Sequence, residues 1–352
     1  MQGYLIPTPP RKPRAAPRRR DPRLGNTLSR ATYLDEGPTM PEQPTSAKAH
    51  YDTIVIGAGP AGLTAGMYAA RQGLATAMVA GSIGGQAMWA KHVENFIGWQ
   101  LISGPDLIAR FREHASKFGV DCFEGNLVNA IVPAGDDFDI YTREGLTLHA
   151  ATVIIATGKA ATRLAIPGEE EFIGRGVSYC ATCDAAFFRD MACAVIGPGE
   201  SAADAALELA ALGASSVTLV NHVPVVAPKT VLDRLERHDR ITTRYGDKPV
   251  RVEGAEHVTA LVVADDDGGA EETIPVNGVF IEIGSIRADE FALGLVDVNE
   301  RGEIVIDKSG ATTTAGVYAA GDVTDEFGKQ IITAVGQGAR AAMAANRDLK
   351  RR

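Results

Sequence analysis

YDTIVIGAGPAGLTAGMYAARQGLATAMVAG, residues 51–81, decides the fold. Tyr51 to Ile56 is a short apolar run of the kind that forms a parallel strand buried on both faces. Gly57, Gly59 and Gly62 follow with G-x-G-x-x-G spacing, and Pro60 and Ala61 lie inside the turn. An Ala-rich helical stretch then runs to about Gly73, and LATAMVA (74–80) reads as a second strand. Dinucleotide binding needs that order. One glycine permits the tight turn, one lets backbone approach a pyrophosphate, and one packs helix on strand, so that the helix N-terminus faces the anion. The spacing alone says little; between a strand and a helix it specifies a dinucleotide-binding βαβ unit.

The pattern returns at ACAVIGPGESAADAALELAALGASSVTLVNH (192–222), with Gly197, Gly199 and Ala202 at the fingerprint positions and Glu200 and Ser201 between them. Two such units imply an α/β chain with two Rossmann-like, three-layer domains and two dinucleotide sites. That is the architecture of a flavin enzyme fed by a nicotinamide, since hydride must pass from one bound cofactor to the other. The alternative for the second unit is a nucleotide-free βαβ scaffold. A third landmark, GVYAAGDVTDEFGKQIITAVGQGARAAMAA (316–345), reads as a strand, a turn at Gly321-Asp322 and a helix from about Gln330. An acid at a strand end before a helix N-terminus suits a sugar hydroxyl and a phosphate or flavin edge.

Two of the four cysteines stand in GVSYCATCDAAFF (176–188), with Asp184 directly after Cys183. A C-x-x-C at a helix start lowers the pKa of one thiol and places the other to close a reversible disulfide. Zinc would need two further ligands, and the chain has no second C-x-x-C and no H-x-x-x-H, so no metal is expected. Cys122 and Cys193 sit in strand-like apolar runs and read as inert buried thiols. Four cysteines in 352 residues do not make a disulfide framework, so a reducing, cytosolic home is the expectation. No run of eighteen apolar residues suggests a membrane span, and the start has no secretory apolar core.

Charge is uneven. The first 30 residues carry eight Lys and Arg against Asp21 alone, a net +7, which leaves −16 on the rest of a chain whose formal total is −9. An acidic body argues against a nucleic-acid channel. Residues 1–50, rich in Pro, Arg, Ser and Thr, have neither helical nor strand period and are expected to be disordered. They fit a dispensable extension, with Met40 just ahead of the first strand as a further start, or an organelle transit peptide, or, least of the three, a basic arm for nucleic acid or an anionic surface.

From Tyr51 to Lys350 the chain resembles the low-molecular-weight thioredoxin reductases and is similar to the flavoprotein part of alkyl hydroperoxide reductases. The matching pieces are GAGPAG (57–62), GGQ (84–86), ENF (94–96), ATG (156–158), GVSYCATCD (176–184), GPGESA (197–202) and AAGDVTDEFGKQII (319–332). The resemblance implies an FAD domain in two segments, 51–164 and 285–352, with a pyridine-nucleotide domain, 165–284, inserted and carrying the cysteines. It implies that Gly57, Gly59, Pro60, Ala61 and Gly62 meet the FAD pyrophosphate and that Gly85, Gln86 and Asn95 line the flavin side. Gly321 and Asp322 would take the ribityl chain, and Lys329, Gln330 and Ile331 the isoalloxazine edge. Cys183 would face the flavin, Cys180 would attack the substrate disulfide, and Asp184 would act as the general acid. The resemblance further implies a homodimer, thioredoxin or a thioredoxin-like protein as partner, and a central domain that rotates on hinges near IPGEEEF (166–172) and IGSIRAD (283–289).

The second site departs from the family. Where the family carries a basic H-R-R cluster for the NADPH 2′-phosphate, and where NADH users place an acid, this chain has Asn221 and His222, with Lys229 and Arg234 the nearest bases. NADPH, NADH, or another donor such as ferredoxin or a second flavoprotein all stay open. IGSIRAD also lacks the Pro-Asn usual after I-G-x-x. The leading expectation is an FAD-dependent disulfide reductase. Its relatives are a peroxiredoxin reductase, although residues before 51 do not read as the thioredoxin-fold module such proteins carry, and a flavin dithiol oxidase. From another class comes a flavin-bound redox sensor without turnover.

Overall fold

The computed structural model describes residues 50–265, 269–287 and 290–352. The expectations for the basic extension therefore lie outside the described residues, up to residue 49.

The quoted stretch forms the strand Tyr51–Ala58, the helix Pro60–Arg71 and the strand Thr76–Ile83. The two strands pair in parallel, Thr53 opposite Thr76, and Asp121–Glu124 extends the sheet beyond Thr76–Ile83. On its other side Tyr51–Ala58 pairs in parallel with Thr147–Ile155. That long strand has two neighbours along one edge. Its last residues, Val153 to Ile155, pair in parallel with Val317–Ala319, and its first pair antiparallel with Asp137–Thr142, which turns back onto Val128–Ala134.

Alanine sets the spacing of the helices on one face. Ala61, Ala65 and Ala69 share a buried cluster with Ala341, Ala342 and Ala345 of the helix Ile331–Leu349. A Cβ on Gly338 would fall on the carbonyl oxygen of Ala61, so the two helices cross at backbone contact. The opposite face is closed by Ile54, Val79, Phe123, Ile140 and Leu148.

The second unit builds a parallel five-stranded sheet in the order Ile241–Tyr245, Ser216–Asn221, Ala192–Ile196, Gly278–Ile281, Val177–Ser178. The helix Glu200–Ala211 covers one face, where Leu209, Leu219 and Phe280 are fully buried. An antiparallel sheet of Asp247–Gly254, Val258–Asp265 and Glu272–Pro275 packs on the other through Leu261 and Val263. The chain passes between the two large sheets twice, and the passages pair as an antiparallel ribbon, Lys159–Ala161 with Ser285–Arg287. The segment 166–172 is pinned from within. Buried Glu169 accepts hydrogen bonds from the amides of Leu164 and Ile166 and from the Tyr179 hydroxyl.

Candidate active site

The C-terminal strand ends of both large sheets open on one cleft of about 1880 Å3. Ligands of open α/β sheets bind at such ends. Gly57 leaves the first strand at φ +103°, a conformation a side chain resists, and a Cβ there would also strike the backbone of Ala156. A Cβ on Gly62 would fall on the Gly57 carbonyl, which is the close helix–strand contact the third glycine serves. Gly59 differs: a Cβ there would meet nothing within 4 Å, yet Gly59 lines the cleft with Pro60 and Ala61. The middle glycine keeps space clear for something that is not protein. Thr157, which also lines the cleft, has a buried hydroxyl without a hydrogen-bond partner. These features fit an extended dinucleotide.

Gln86 donates to the Lys159 carbonyl, and Asn95 Nδ2 donates to Gln330 Oε1 at 2.9 Å, so GGQ meets the chain just after ATG and ENF meets the start of the last helix. The Gly321 amide donates to Gln337 Oε1 at 2.6 Å, fixing the Gly321-Asp322 turn from the helix behind it. Gly85, Asp322, Lys329 and Ile331 line the same cleft.

Behind them lies a charge cluster that sequence reasoning missed. Lys159 Nζ donates to Glu303 Oε1 at 2.7 Å, Asn299 Nδ2 donates to Glu303 Oε2 at 2.8 Å, and Lys329 Nζ stands 3.4 Å from Glu303 Oε1. Burial by itself would raise the pKa of Glu303, but the bonds from Lys159 and Asn299 and the two lysine charges bring it down to about 2. Burial pushes the Asp322 carboxyl above its usual range, against the pull of Lys329 and Lys159, and burial lowers the Lys329 ammonium.

The cysteines form a disulfide, Cα to Cα 5.3 Å, with Cys180 at the N-cap of the short helix Ala181–Asp184. Both line the cleft, and Gln330 Nε2 lies 3.8 Å from Cys183 Sγ. Asp184 is half-buried rather than a free helix-start acid. It accepts from Ser178 Oγ at 2.6 Å, and Ser178 Oγ in turn receives the Cys180 amide at 3.1 Å. Burial raises the Asp184 pKa, while the Ser178 bond and the charge of His92 work the other way. Cys193 is buried in its strand with its thiol pushed up to about 12; half-buried Cys122 is raised chiefly by burial. Neither has thiolate character.

At the second glycine turn, a Cβ on Gly197 would strike the Glu282 carbonyl and crowd Ala202, whereas Gly199 faces open space. Glu200 and Ser201 begin the helix and line the cleft. Asn221 does not project as a ribose reader. It is 3% exposed, its Oδ1 accepts the Gly197 amide at 3.1 Å, and its Nδ2 is buried without a partner. The fold uses this residue to brace the turn. His222 is exposed, as are Val223 and Val226 beside it, and exposed Lys229 is paired with Asp233 at 2.6 Å.

Two Rossmann-type glycine turns and a C-x-x-C disulfide beside one cleft define the class of dinucleotide-binding oxidoreductases that carry a cysteine pair. The chain belongs to the pyridine nucleotide-disulphide oxidoreductase family, whose profile matches residues 51–338. Enzymes of this family use FAD and a nicotinamide nucleotide. The crystal structure of thioredoxin reductase from Streptococcus pyogenes is 36% identical, with TM-score 0.82 over 86% of this chain and 99% of that one. Thioredoxin reductase from Giardia duodenalis is 30% identical, with TM-score 0.81 over 86% of this chain and 100% of that one. The F component of the alkyl hydroperoxide reductase of Staphylococcus aureus is 37% identical over 299 residues, 85% of this chain and 59% of that protein. The chain thus spans about three fifths of the curated relatives it matches. Among the described residues no helix is long and apolar enough to cross a membrane.

Proposed function

We propose that this protein is an FAD-dependent disulfide reductase that passes electrons through Cys180 and Cys183 to the disulfide of thioredoxin or a thioredoxin-like protein, as a cytoplasmic homodimer. The reading divides the chain into an FAD domain, 51–164 and 285–352, and an inserted domain, 165–284. Its main support is the position of the disulfide: Cys183 lies against Gln330, at the head of the helix that follows the Gly321-Asp322 turn.

Gly57, Gly59 and Gly62 would hold the FAD pyrophosphate, Asp322 the ribityl hydroxyls, and Gln86, Asn95, Lys329 and Gln330 the ring edge. Bound there, FAD supplies two-electron transfer between a nicotinamide and the disulfide. The protein's own groups do the rest. Once the pair is a dithiol, the Cys180 thiolate attacks the partner disulfide, forms a mixed disulfide and expels a partner thiolate. Asp184, held by Ser178, gives that thiolate its proton. Cys183 then attacks Cys180, the disulfide re-forms, and the partner leaves as a dithiol.

The buried Asn221 and the exposed Val223 and Val226 support a second reading of the electron source, in which a dithiol, ferredoxin or another donor replaces the nicotinamide. Anaerobic mixing with NADPH, then with NADH, separates the readings by bleaching of the flavin's visible band. Rapid bleaching by one nucleotide, coupled to reduction of thioredoxin, is the expected result. Bleaching only by a dithiol or reduced ferredoxin moves the assignment to the second reading. Steady oxygen uptake with dithiols and no reduction of thioredoxin overturns the reductase.

A further inference from the structure

The two residues between the redox cysteines are each held by a carboxylate. The Ala181 amide donates to Glu282 Oε1 at 3.4 Å, and the Thr182 hydroxyl donates to Glu208 Oε2 at 3.1 Å. Glu282 follows the strand Gly278–Ile281, so the sheet aims it at the cleft directly beneath the short helix that begins after Cys180. Its backbone is fixed on both sides: its amide donates to the Ile196 carbonyl at 2.7 Å, and its own carbonyl accepts from Ser201 Oγ.

We propose that Glu282 is a positioning residue of the redox pair, holding the Ala181 amide while the disulfide is closed and taking up a proton when the disulfide is reduced. The inference rests on reading Cys180 and Cys183 as redox-active. Cys180 precedes Ala181 directly in the chain, so a Cys180 thiolate would set a second negative charge close to the Glu282 carboxylate that the Ala181 amide holds. Two like charges at one site disfavour each other's ionisation, so reduction of the disulfide draws a proton to the pair. Burial, reinforced by the negative charge of Glu208, pushes the Glu282 carboxyl up to about 7, so neutralising it costs little near physiological pH.

The groups facing it are Glu208 on the helix Glu200–Ala211, the Ala181 amide on the disulfide helix, and Ser201 at the glycine turn. Asp184, tied to Ser178, and Glu200 and Asp204 line the same cleft. With an external dithiol as reductant, the dithiol loses two electrons and two protons and becomes a disulfide. The Cys180–Cys183 bond breaks, one proton goes to the Cys183 sulfur and one to Glu282, and Cys180 remains a thiolate.

The test uses the flavin-loaded protein, reduced anaerobically with dithiothreitol and freed of it. The alkylation rate of Cys180 by iodoacetamide is then followed from pH 5 to 9.5 by peptide mass spectrometry. The wild-type profile is expected to show two inflections, the thiolate and Glu282 sharing their protons. Glu282→Gln should show one inflection at lower pH, with alkylation between the two wild-type inflections faster by up to about tenfold. Glu208→Gln should keep two and move the lower one to lower pH. A visible flavin spectrum unchanged in Glu282→Gln establishes that the variant is folded. Superimposable profiles of wild type and Glu282→Gln overturn the inference while leaving the redox pair intact. A Cys180 that dithiothreitol never exposes to alkylation sinks the redox reading and this inference together.

Discussion

Gln330 Nε2 and Cys183 Sγ lie 3.8 Å apart although 147 residues separate them in the chain. This contact joins the head of the last helix to the second, not the first, of the paired cysteines, and the proposed function gives the two sulfurs different work. Cys183→Ser should leave Cys180 free to form a stable mixed disulfide with a thioredoxin that lacks its resolving cysteine. Cys180→Ser should form none, lose disulfide reduction and still bind flavin. Non-reducing electrophoresis and a visible spectrum read both results. Wild-type turnover by Cys180→Ser would refute the assignment.

Asp184 is held protonated more readily than an ordinary aspartate because it is buried, despite the Ser178 bond and the charge of His92. A general acid works only while it carries its proton. The rate of disulfide exchange should therefore fall as pH rises through the raised Asp184 pKa. Asp184→Asn should slow exchange roughly a hundredfold and lack that limb, since it has no proton to lose. His92→Phe removes a charge that favours ionisation and should move the limb to higher pH. The measurement is pre-steady-state reduction of thioredoxin across pH; an unchanged limb in Asp184→Asn excludes the role.

Gly59 and Gly62 belong to one motif and should fail in different ways. At Gly62 a Cβ falls on the Gly57 carbonyl, so Gly62→Ala must push the helix off the strand, at about 1–3 kcal/mol of stability. At Gly59 a Cβ meets no protein atom, so Gly59→Ala should change the stability of the flavin-free protein by no more than about 0.5 kcal/mol. It should instead lower flavin retention. Denaturant unfolding of the flavin-free variants and flavin absorbance per protein separate the two. Full flavin retention in Gly59→Ala would show that the open space is not the pyrophosphate site.

The parts of this molecule legible in the sequence are those where local backbone and local chemistry coincide. Gly57 and Gly197 mark their turns because both take positive φ and touch neighbouring backbone, and only glycine meets both demands. The Cys180–Cys183 pair was visible for the same reason, since three residues of separation fix its geometry. What stayed hidden is made by topology. Glu303 meets Lys159 across 144 residues, and Gln337 reaches Gly321 only because a helix lies behind that turn. Glu282 offered a faint signal, an acid directly after a four-residue apolar strand, but its meaning depends on Ala181, 101 residues earlier. Asn221 stands at a strand end, where a residue can face ligand or turn; here its bond to Gly197 turns it inward. Strand ends shifted too: the second strand runs Thr76–Ile83, past the apolar residues that signalled it, because pairing with Tyr51–Ala58 continues to Ile83.

Glu303 carries a stability prediction that needs no flavin. Its side chain is 8% exposed, and its pKa stands at about 2 against 4.5 for a free glutamate, for which the bonds from Lys159 and Asn299 and the charge of Lys329 outweigh burial. A depressed carboxylate stabilises the fold above its unfolded pKa, and that contribution is lost as pH falls through the folded one. The window is therefore pH 4.5 down to about 2, and the contribution is about 3 kcal/mol at neutral pH. Glu303→Gln keeps the shape but leaves Lys159 and Lys329 facing a neutral amide beside Asp322. It should lose about 3 kcal/mol at pH 7, and its stability should fall less steeply than wild type between pH 4.5 and 3. Urea unfolding of the flavin-free proteins at pH 7, 4.5 and 3 measures both. Parallel losses in the two proteins over that range would mean that Glu303 does not carry the charge balance of the cluster, and that Asp322 holds the two lysines instead.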